Sequence, residues 1–593
     1  MNKPKAEGDF DNIHKVWYKD EVTSPVSVEN WVFGSSRETQ SLDGEWYFSP
    51  DPFDSCLRGQ WYLERRTNAF GSPIPTDYDF EDWDVVKTPH VWNLEQEKWY
   101  FYEGPGVYVK NFYYEDRGDE VVKIRFSGVC GETRVFCNGK FVGSHLGDGL
   151  PFFVTVTDVL KKNENNRLLV VADTTRKLEG IPSVNIDWFL YGGISDHVDL
   201  LRLPKAHIRR FRLALEDERT GVLQGSIGLS EKVNAEAAVS IPELGICEKI
   251  AVKDGEGSFT ILCDPAKLHL WSPEDPYRYQ VIVSCGADQA EDLIGLRTLR
   301  VDGLKILLNG KRIHFKGICM HSESLEHGRA VTEEEIRERL LTAKELGCNF
   351  MRLTHYPHSG LTSRLADEIG LLLWEEIAVY WWLTFDNPGT IENGKTQLRE
   401  MIERDYNRAA AAVWSVGNEN PDTDSRLAFM SGLAKLAKTE DPYRFVSAAC
   451  LTDLTEKLIH DRLADHLDVI GINEYYGWYQ PDFDTLLQVL NNSDLKKPVI
   501  ITECGGDAAV GYHGKVGELG TEEHQEWIYQ RQVETFESTP YIQGSTPWLL
   551  FDFRSHRRCG KLQKGFNIKG LVSADLKHKK MAFRVLQDFY KKW

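Results

Sequence analysis

Residues 332–354 read TEEEIRERLLTAKELGCNFMRLT, and the way this stretch divides decides the fold of the C-terminal half. Thr332-Glu333-Glu334-Glu335 is a capping box, in which a threonine hydroxyl and a glutamate three residues on satisfy each other's free amides. Ile336, Leu340 and Ala343 then recur at helical spacing, and Gly347 supplies the left-handed stop. The apolar run 349–354 that follows is of strand length, as is the run 313–318 upstream. The stretch therefore predicts a helix between two strands. Further apolar runs at 371–374, 411–416, 445–449, 469–472, 498–502 and 542–551 alternate with helical or loop segments, and a last helix reaches the C-terminus. Eight such units in about 290 residues after Gly303 match a TIM barrel in count and size. A doubly wound sheet is the alternative, but it would want a Gly-rich phosphate loop that this half lacks.

Towards the N-terminus the texture is different. Residues 41–203 hold short β runs such as 120–126 and 133–136, with an Asn138-Gly139 turn, which predicts an antiparallel sandwich. Residues 206–300 repeat the theme in a smaller unit, with runs such as Gln280-Val281-Ile282-Val283. Residues 1–37 have no sustained period and read as an extension.

Composition excludes several function classes. Among 593 residues, 70 Lys and Arg stand against 90 Asp and Glu, a formal net charge of −20. Binding to nucleic acid or an anionic membrane needs clustered positive charge, so neither is expected as a partner. No stretch approaches the roughly 20 apolar residues of a membrane span. The first 26 residues carry no apolar signal core, and the 11 cysteines are irregularly spaced without a C-x-x-C pair. Both features fit a reducing, cytoplasmic setting. Cys319, His321 and His327 lack a fourth ligand at structural-zinc spacing, so no metal is expected, and no cofactor motif occurs. The 17 Trp and 23 Tyr suit packing first and sugar recognition second, since flat rings meet flat pyranose faces.

A barrel carries its active site at the C-terminal ends of its strands. In order, these ends are Met320-His321-Ser322-Glu323, Thr354-His355-Tyr356-Pro357, Trp374-Glu375-Glu376 and Gly417-Asn418-Glu419-Asn420, then Asn473-Glu474-Tyr475-Tyr476, Thr502-Glu503-Cys504-Gly505, and Trp548 with Asp552. Glu419 and Glu503, on strands four and seven, would face each other across the mouth. Two such carboxylates suit glycosidic bond cleavage, one protonating the leaving oxygen while the other attacks the anomeric carbon. At a separation of about 5 Å no water fits between them, which gives retention through a covalent glycosyl-enzyme. Glu375 and Glu376 read as salt-bridged or solvated residues.

Trp414-Ser415-Val416-Gly417-Asn418-Glu419 and Ile501-Thr502-Glu503 resemble the acid/base and nucleophile strands of glycoside hydrolase family 2. Leu42-Asp43-Gly44-Glu45-Trp46 and the segment from Asp187 through Gly192-Gly193-Ile194 are similar to its N-terminal jelly-roll domain. Leu270-Trp271-Ser272-Pro273 is similar to the end of its immunoglobulin-like domain. The resemblance thus implies a jelly-roll sandwich over 38–205, an immunoglobulin-like sandwich over 206–300 and a catalytic TIM barrel over 301–593.

Within the family, Asn473 through Tyr479 and Thr502 through Asp507 resemble the β-glucuronidases most. That likeness implies that Asp187 and His321 touch the sugar, Asn418 its 2-hydroxyl and Tyr475 the nucleophile. It also implies that Asn473, Tyr479 and Trp548 line the pocket, and that Asn567 and Lys569 contact a glucuronate carboxylate. A β-D-glucuronide is the expected substrate and a homo-oligomer the expected assembly. A β-galactosidase or β-galacturonidase would use the same two glutamates, and a non-catalytic carbohydrate-binding protein is the reading from another class. The chain departs from the family at Cys504, commonly Tyr, at Arg408-Ala409-Ala410 before strand four, at Asp196, and at Arg554-Ser555-His556-Arg557-Arg558 after strand eight.

Overall fold

The computed structural model describes residues 37–63, 79–453, 455–480 and 482–593. The extension expected over 1–37 lies outside these residues except for Arg37. The described chain forms two compact units, one of 37–175 with 190–207, the other of 176–189 with 208–593.

The first unit is a two-sheet antiparallel sandwich. A six-stranded sheet runs in the order 84–88, 44–50, 105–114, 164–173, 132–137, 140–146, and a four-stranded sheet in the order 39–41, 198–203, 121–126, 152–155. Alternating residues of the two inner faces, among them Trp46, Phe48, Tyr108, Ile124, Phe152, Val170 and Leu200, close a continuous buried core. The expected turn is present. Asn138 and Gly139 have φ of 49° and 79°, both left-handed, as the tight turn between two twisted strands requires.

The second unit begins with a smaller sandwich. Its three-stranded sheet (208–217, 222–229, 256–262) and four-stranded sheet (246–252, 235–241, 279–285, 288–294) pack around Phe211, Ile227, Val239 and Val281. The barrel follows. Its strands are β1 (Cys319–Met320), β2 (Phe350–Leu353), β3 (Leu372–Glu376), β4 (Ala411–Asn418), β5 (Phe445–Leu451), β6 (Ile470–Asn473), β7 (Val499–Glu503) and β8 (Ile542–Ser545). All neighbouring pairs are parallel. Phe315–Lys316 pairs with β8 while β1 pairs with β2, so the first strand, broken at Gly317 and Ile318, closes the barrel from both sides. Of the run expected as a strand over 313–318 only Phe315–Lys316 is strand, the other short piece lying just beyond it at Cys319–Met320, and β8 ends at Ser545, well short of 551.

The stretch that decided the fold behaves as its chemistry dictates. Thr332 Oγ1 accepts from the Glu335 amide at 3.3 Å, and Glu335 Oε2 accepts from the Thr332 amide at 2.9 Å. Such a cap contributes about 1 kcal/mol. Ile336, Leu340 and Ala343 are buried, and Gly347 ends the helix at φ 97°. Among the described residues no helix is long and apolar enough to cross a membrane.

Candidate active site

The strand exits converge on a cavity of about 310 Å³. Glu419 stands one residue past β4 with φ of 52°, and its amide donates to the Ala449 carbonyl at 2.8 Å, so the chain turns out of the strand there. Its Oε1 accepts from Asn473 Nδ2 at 3.0 Å and its Oε2 from the Trp381 indole at 2.7 Å. Burial raises the Glu419 pKa, the charge of Glu503 raises it further, and the Asn473 and Trp381 donors oppose both.

Glu503 ends β7. Its Oε2 accepts from the Tyr475 hydroxyl at 2.6 Å and its Oε1 from Arg352 Nη1 at 2.8 Å. Burial, then the charges of Glu503 and Glu419, lift the Tyr475 phenol far above its usual range, so it stays a neutral donor.

Arg352, on β2, is fully buried and ties the site together. It bonds both oxygens of Glu376, donates to Asn418 Oδ1 at 2.7 Å and to the Thr502 carbonyl at 3.2 Å, and spans the barrel to Glu503. Glu376 is pushed up by burial, but Arg352, His355 and the Trp374 indole outweigh that and bring it to about 2. Breaking a buried pair of this kind costs about 3–5 kcal/mol. Glu375 pairs with Arg404 and is also buried, so of the two readings for this pair salt bridging is the one seen.

Asn418 and Asn473 link the two glutamates. Asn473 Nδ2 donates to Asn418 Oδ1 at 3.1 Å as well as to Glu419, and its Oδ1 accepts from Thr502 Oγ1 at 2.7 Å. Asn418 Nδ2 is buried without a partner. His321 is buried behind the wall, stacked on Phe553 at 4.0 Å and edge-on to Trp548, with Nε2 unpartnered. Of the expected site residues, Asp187, Glu419, Asn473, Tyr475, Tyr479, Glu503, Trp548, Asn567 and Lys569 line the cavity, while Asn418 and His321 sit just behind it.

The far end is a chain of charges. Lys569 Nζ donates to Asp507 Oδ1 at 2.6 Å and to the Tyr479 hydroxyl at 3.2 Å, and Asp507 also accepts from Gln563 at 2.7 Å. Asp187, in the 176–189 segment of the second unit, accepts from Ser555 at 2.9 Å and forms an ion pair with Arg558. Arg558 also interacts with Tyr479, and it lines the cavity.

Among the other lining residues, His355 and Glu474 at strand exits and Arg558 after strand eight were given no role from the sequence, and Tyr380, Trp381, Leu451, Thr452 and Gln480 were not singled out. For Arg352, a signal existed. A charged residue inside the apolar run Phe350-Met351-Arg352-Leu353 of a barrel strand must be paired, and carboxylates at the strand exits were the natural partners. Burial pushes Glu474 up to about 8, making it a third carboxyl of the wall. Among the described residues no cluster could hold a metal ion. The Cys319 thiol instead contacts the carbonyls of Thr502 and Thr546.

The glycosyl hydrolases family 2 TIM barrel domain matches residues 299–592, and the family 2 sugar binding domain matches residues 39–204. The chain belongs to glycosyl hydrolase family 2. This family 2 chain is 30% identical over 548 residues to a β-glucuronidase of Bacteroides fragilis, covering 84% of its own length and 77% of that protein. It is 26% identical to a β-glucuronidase of Paenibacillus borealis, over 93% of its length and 97% of that protein. It is also similar to the solved structure of a family 2 β-galacturonidase from Eisenbergiella tayi bound to galacturonate, with a TM-score of 0.80 and 26% identity, over 94% and 98% of the two chains. The family 2 chain is therefore a glycoside hydrolase that takes a carbohydrate substrate.

Proposed function

We infer that this glycosidase removes terminal β-D-glucuronides with retention of configuration, with Glu503 as nucleophile and Glu419 as acid and base. The observation that carries this reading is one cavity lined at one end by Glu419 and Glu503 and at the other by a lysine with a donor to spare. Lys569 has three N–H donors, of which Asp507 and Tyr479 use two, so the third is available to a uronate carboxylate. The raised pKa of Glu419 suits a group that must hold a proton before the reaction.

Glu419 gives its proton to the glycosidic oxygen as a Glu503 carboxylate oxygen bonds to the anomeric carbon, and the aglycone leaves as the alcohol. Asn418, implied to meet the 2-hydroxyl, has a side-chain amide nitrogen with no other partner, and a hydrogen bond from it would tighten as the ring becomes oxocarbenium-like. The Glu419 carboxylate then takes a proton from water, whose oxygen displaces Glu503 and frees the β-uronate. Arg352 and Tyr475 hold Glu503 in place throughout.

A β-galacturonide is the second reading. It is favoured by the Eisenbergiella tayi relative and by the arginine placed on Asp187, a residue implied to touch the sugar. Paired p-nitrophenyl β-glucuronide, β-galacturonide and β-galactoside assays, with proton NMR of the first-formed sugar, test both readings. A preference of about 10-fold or more for one uronide over the neutral sugar, released first as the β-anomer, is expected. An α-anomer released first overturns the retaining assignment, and a preference for the neutral sugar overturns the uronate.

A further inference from the structure

We propose that Trp381 is a positioning residue for Glu419, its indole N–H holding carboxyl oxygen Oε2 in the orientation from which the proton is passed and received. The inference rests on the reading of Glu419 as acid and base.

Four features of the structure support this. Trp381 adopts φ of 52°, a left-handed backbone that is a real outlier for a bulky residue and persists only where the surroundings enforce it. Those surroundings are the exit of β4 itself. The Trp381 amide donates to the Asn418 carbonyl at 2.9 Å, and its carbonyl accepts from Asn420 Nδ2 at 2.8 Å. The backbone of Trp381 is thus fastened to the residues on either side of Glu419, so the donor and the carboxyl cannot drift apart independently.

Two neighbours also pack against the indole. The Tyr380 ring stacks at 4.5 Å with an interplanar angle of 29°, and the Arg557 guanidinium lies 4.9 Å from the ring centre. What the indole presents to the cavity is its edge, and the N–H on that edge meets Glu419 at 2.7 Å.

The consequence for chemistry follows from the sign of the interaction. A donor to a carboxylate favours the ionised form, so Trp381 opposes the rise caused by burial and by Glu503. The other titratable or charged groups around this carboxyl are His355 from the β2 exit, Tyr380 beside Trp381, Tyr475 from the β6 exit and Arg557 beyond the indole. With the indole bond, Glu419 can release its proton in the first half-reaction and still serve as a base in the second. Without it, the proton is held more tightly and the carboxyl is free to turn away from the leaving oxygen.

The test is Trp381→Phe, which keeps a ring against Tyr380 and Arg557 but removes the N–H. The alkaline limb of kcat/KM should move to higher pH. Efficiency should fall about 10-fold on alkyl glycosides, which need protonation, and by less than about 3-fold on activated aryl glycosides, which do not. Arg557→Lys is the second variant. Arg557 is exposed, so the change leaves the fold intact, and lysine keeps the charge but gives up the flat face on the indole. It should move the limb in the same direction by a smaller amount. An unmoved alkaline limb in the variants, with equal losses on both classes of glycoside, means that Trp381 only packs and overturns the proposal. Glu419→Gln and Glu474→Gln separate this failure from failure of the parent reading. If Glu419→Gln keeps the limb and Glu474→Gln abolishes it, the acid assignment itself falls. If Glu419→Gln abolishes the limb while Trp381→Phe leaves it in place, only the role of Trp381 is lost.

Discussion

At one end of the cavity, Glu419 and Glu503 stand at the exits of β4 and β7, and the groups that orient them come from other barrel strands or the segments that follow them: Arg352 within β2, Asn473, Tyr475 and Trp381. At the other end, Asp187, Arg558 and Lys569 come from loops and Asn567 from the short strand Phe566–Asn567, and two ion pairs meeting at Tyr479 hold the charged residues. The first end is anchored by the barrel's ladder, which tolerates little change, and in the proposed reading it carries the reaction. The second is anchored by side chains on connections that can vary in length and composition, and in the proposed reading it carries the choice of sugar. The departures from the family pattern accord with this division. Glu419 and Glu503 are in place, while Arg554-Ser555-His556-Arg557-Arg558 replaces the usual loop after β8.

The largest expected effect tests the strand end. Glu503→Ala should lower kcat by about 10⁴-fold or more, with partial recovery in azide giving an α-glycosyl azide; Glu419→Ala should recover through the β-azide. Rescue products of the opposite configurations would exchange the two roles and break the assignment.

A smaller effect is expected at the loop end. Lys569→Ala should reduce kcat/KM on glucuronides by about 10- to 200-fold, since charge-assisted hydrogen bonds are worth roughly 1.5–3 kcal/mol. Neutral β-glycosides should be much less affected, as they present no carboxylate. A double ratio of kcat/KM near one, comparing the variants on the two substrates, would remove the uronate from the comparison.

Arg558→Gln should have the smallest effect, about 3- to 10-fold, because Ser555 still holds Asp187. Its informative readout is the glucuronide-to-galacturonide ratio. A change in that ratio sharpens the division between the two ends, whereas an equal loss on both sugars would make Arg558 a brace for Asp187 and no more.

Much of the strand end was legible without coordinates. Glycine, asparagine and glutamate at the end of an apolar run are out of place in a core, and the barrel rule says which end of each strand matters. The loop end was legible only through resemblance. Asn-x-Lys occurs four times in the chain, starting at Asn138, Asn309, Asn393 and Asn567, and only its place after β8 marks the fourth. Trp381 and Leu451 carried no signal at all. One of 17 tryptophans looks like any other until its backbone is seen pinned beside Glu419.

Local sequence alone determined the order of sheets, helices and turns, since periodicity, capping residues and Asn-Gly turns act over only a few positions. It also determined which carboxylates lie at strand exits. Tertiary structure decided what those carboxylates meet. Arg352 and Glu503 are 151 positions apart and Asp187 and Arg558 are 371 apart, yet each pair is in contact. No local rule reaches that far. Closing the barrel brings Arg352 and Glu503 together, and burial then makes that pairing obligatory, because a charge removed from water without a partner costs more than the fold can supply.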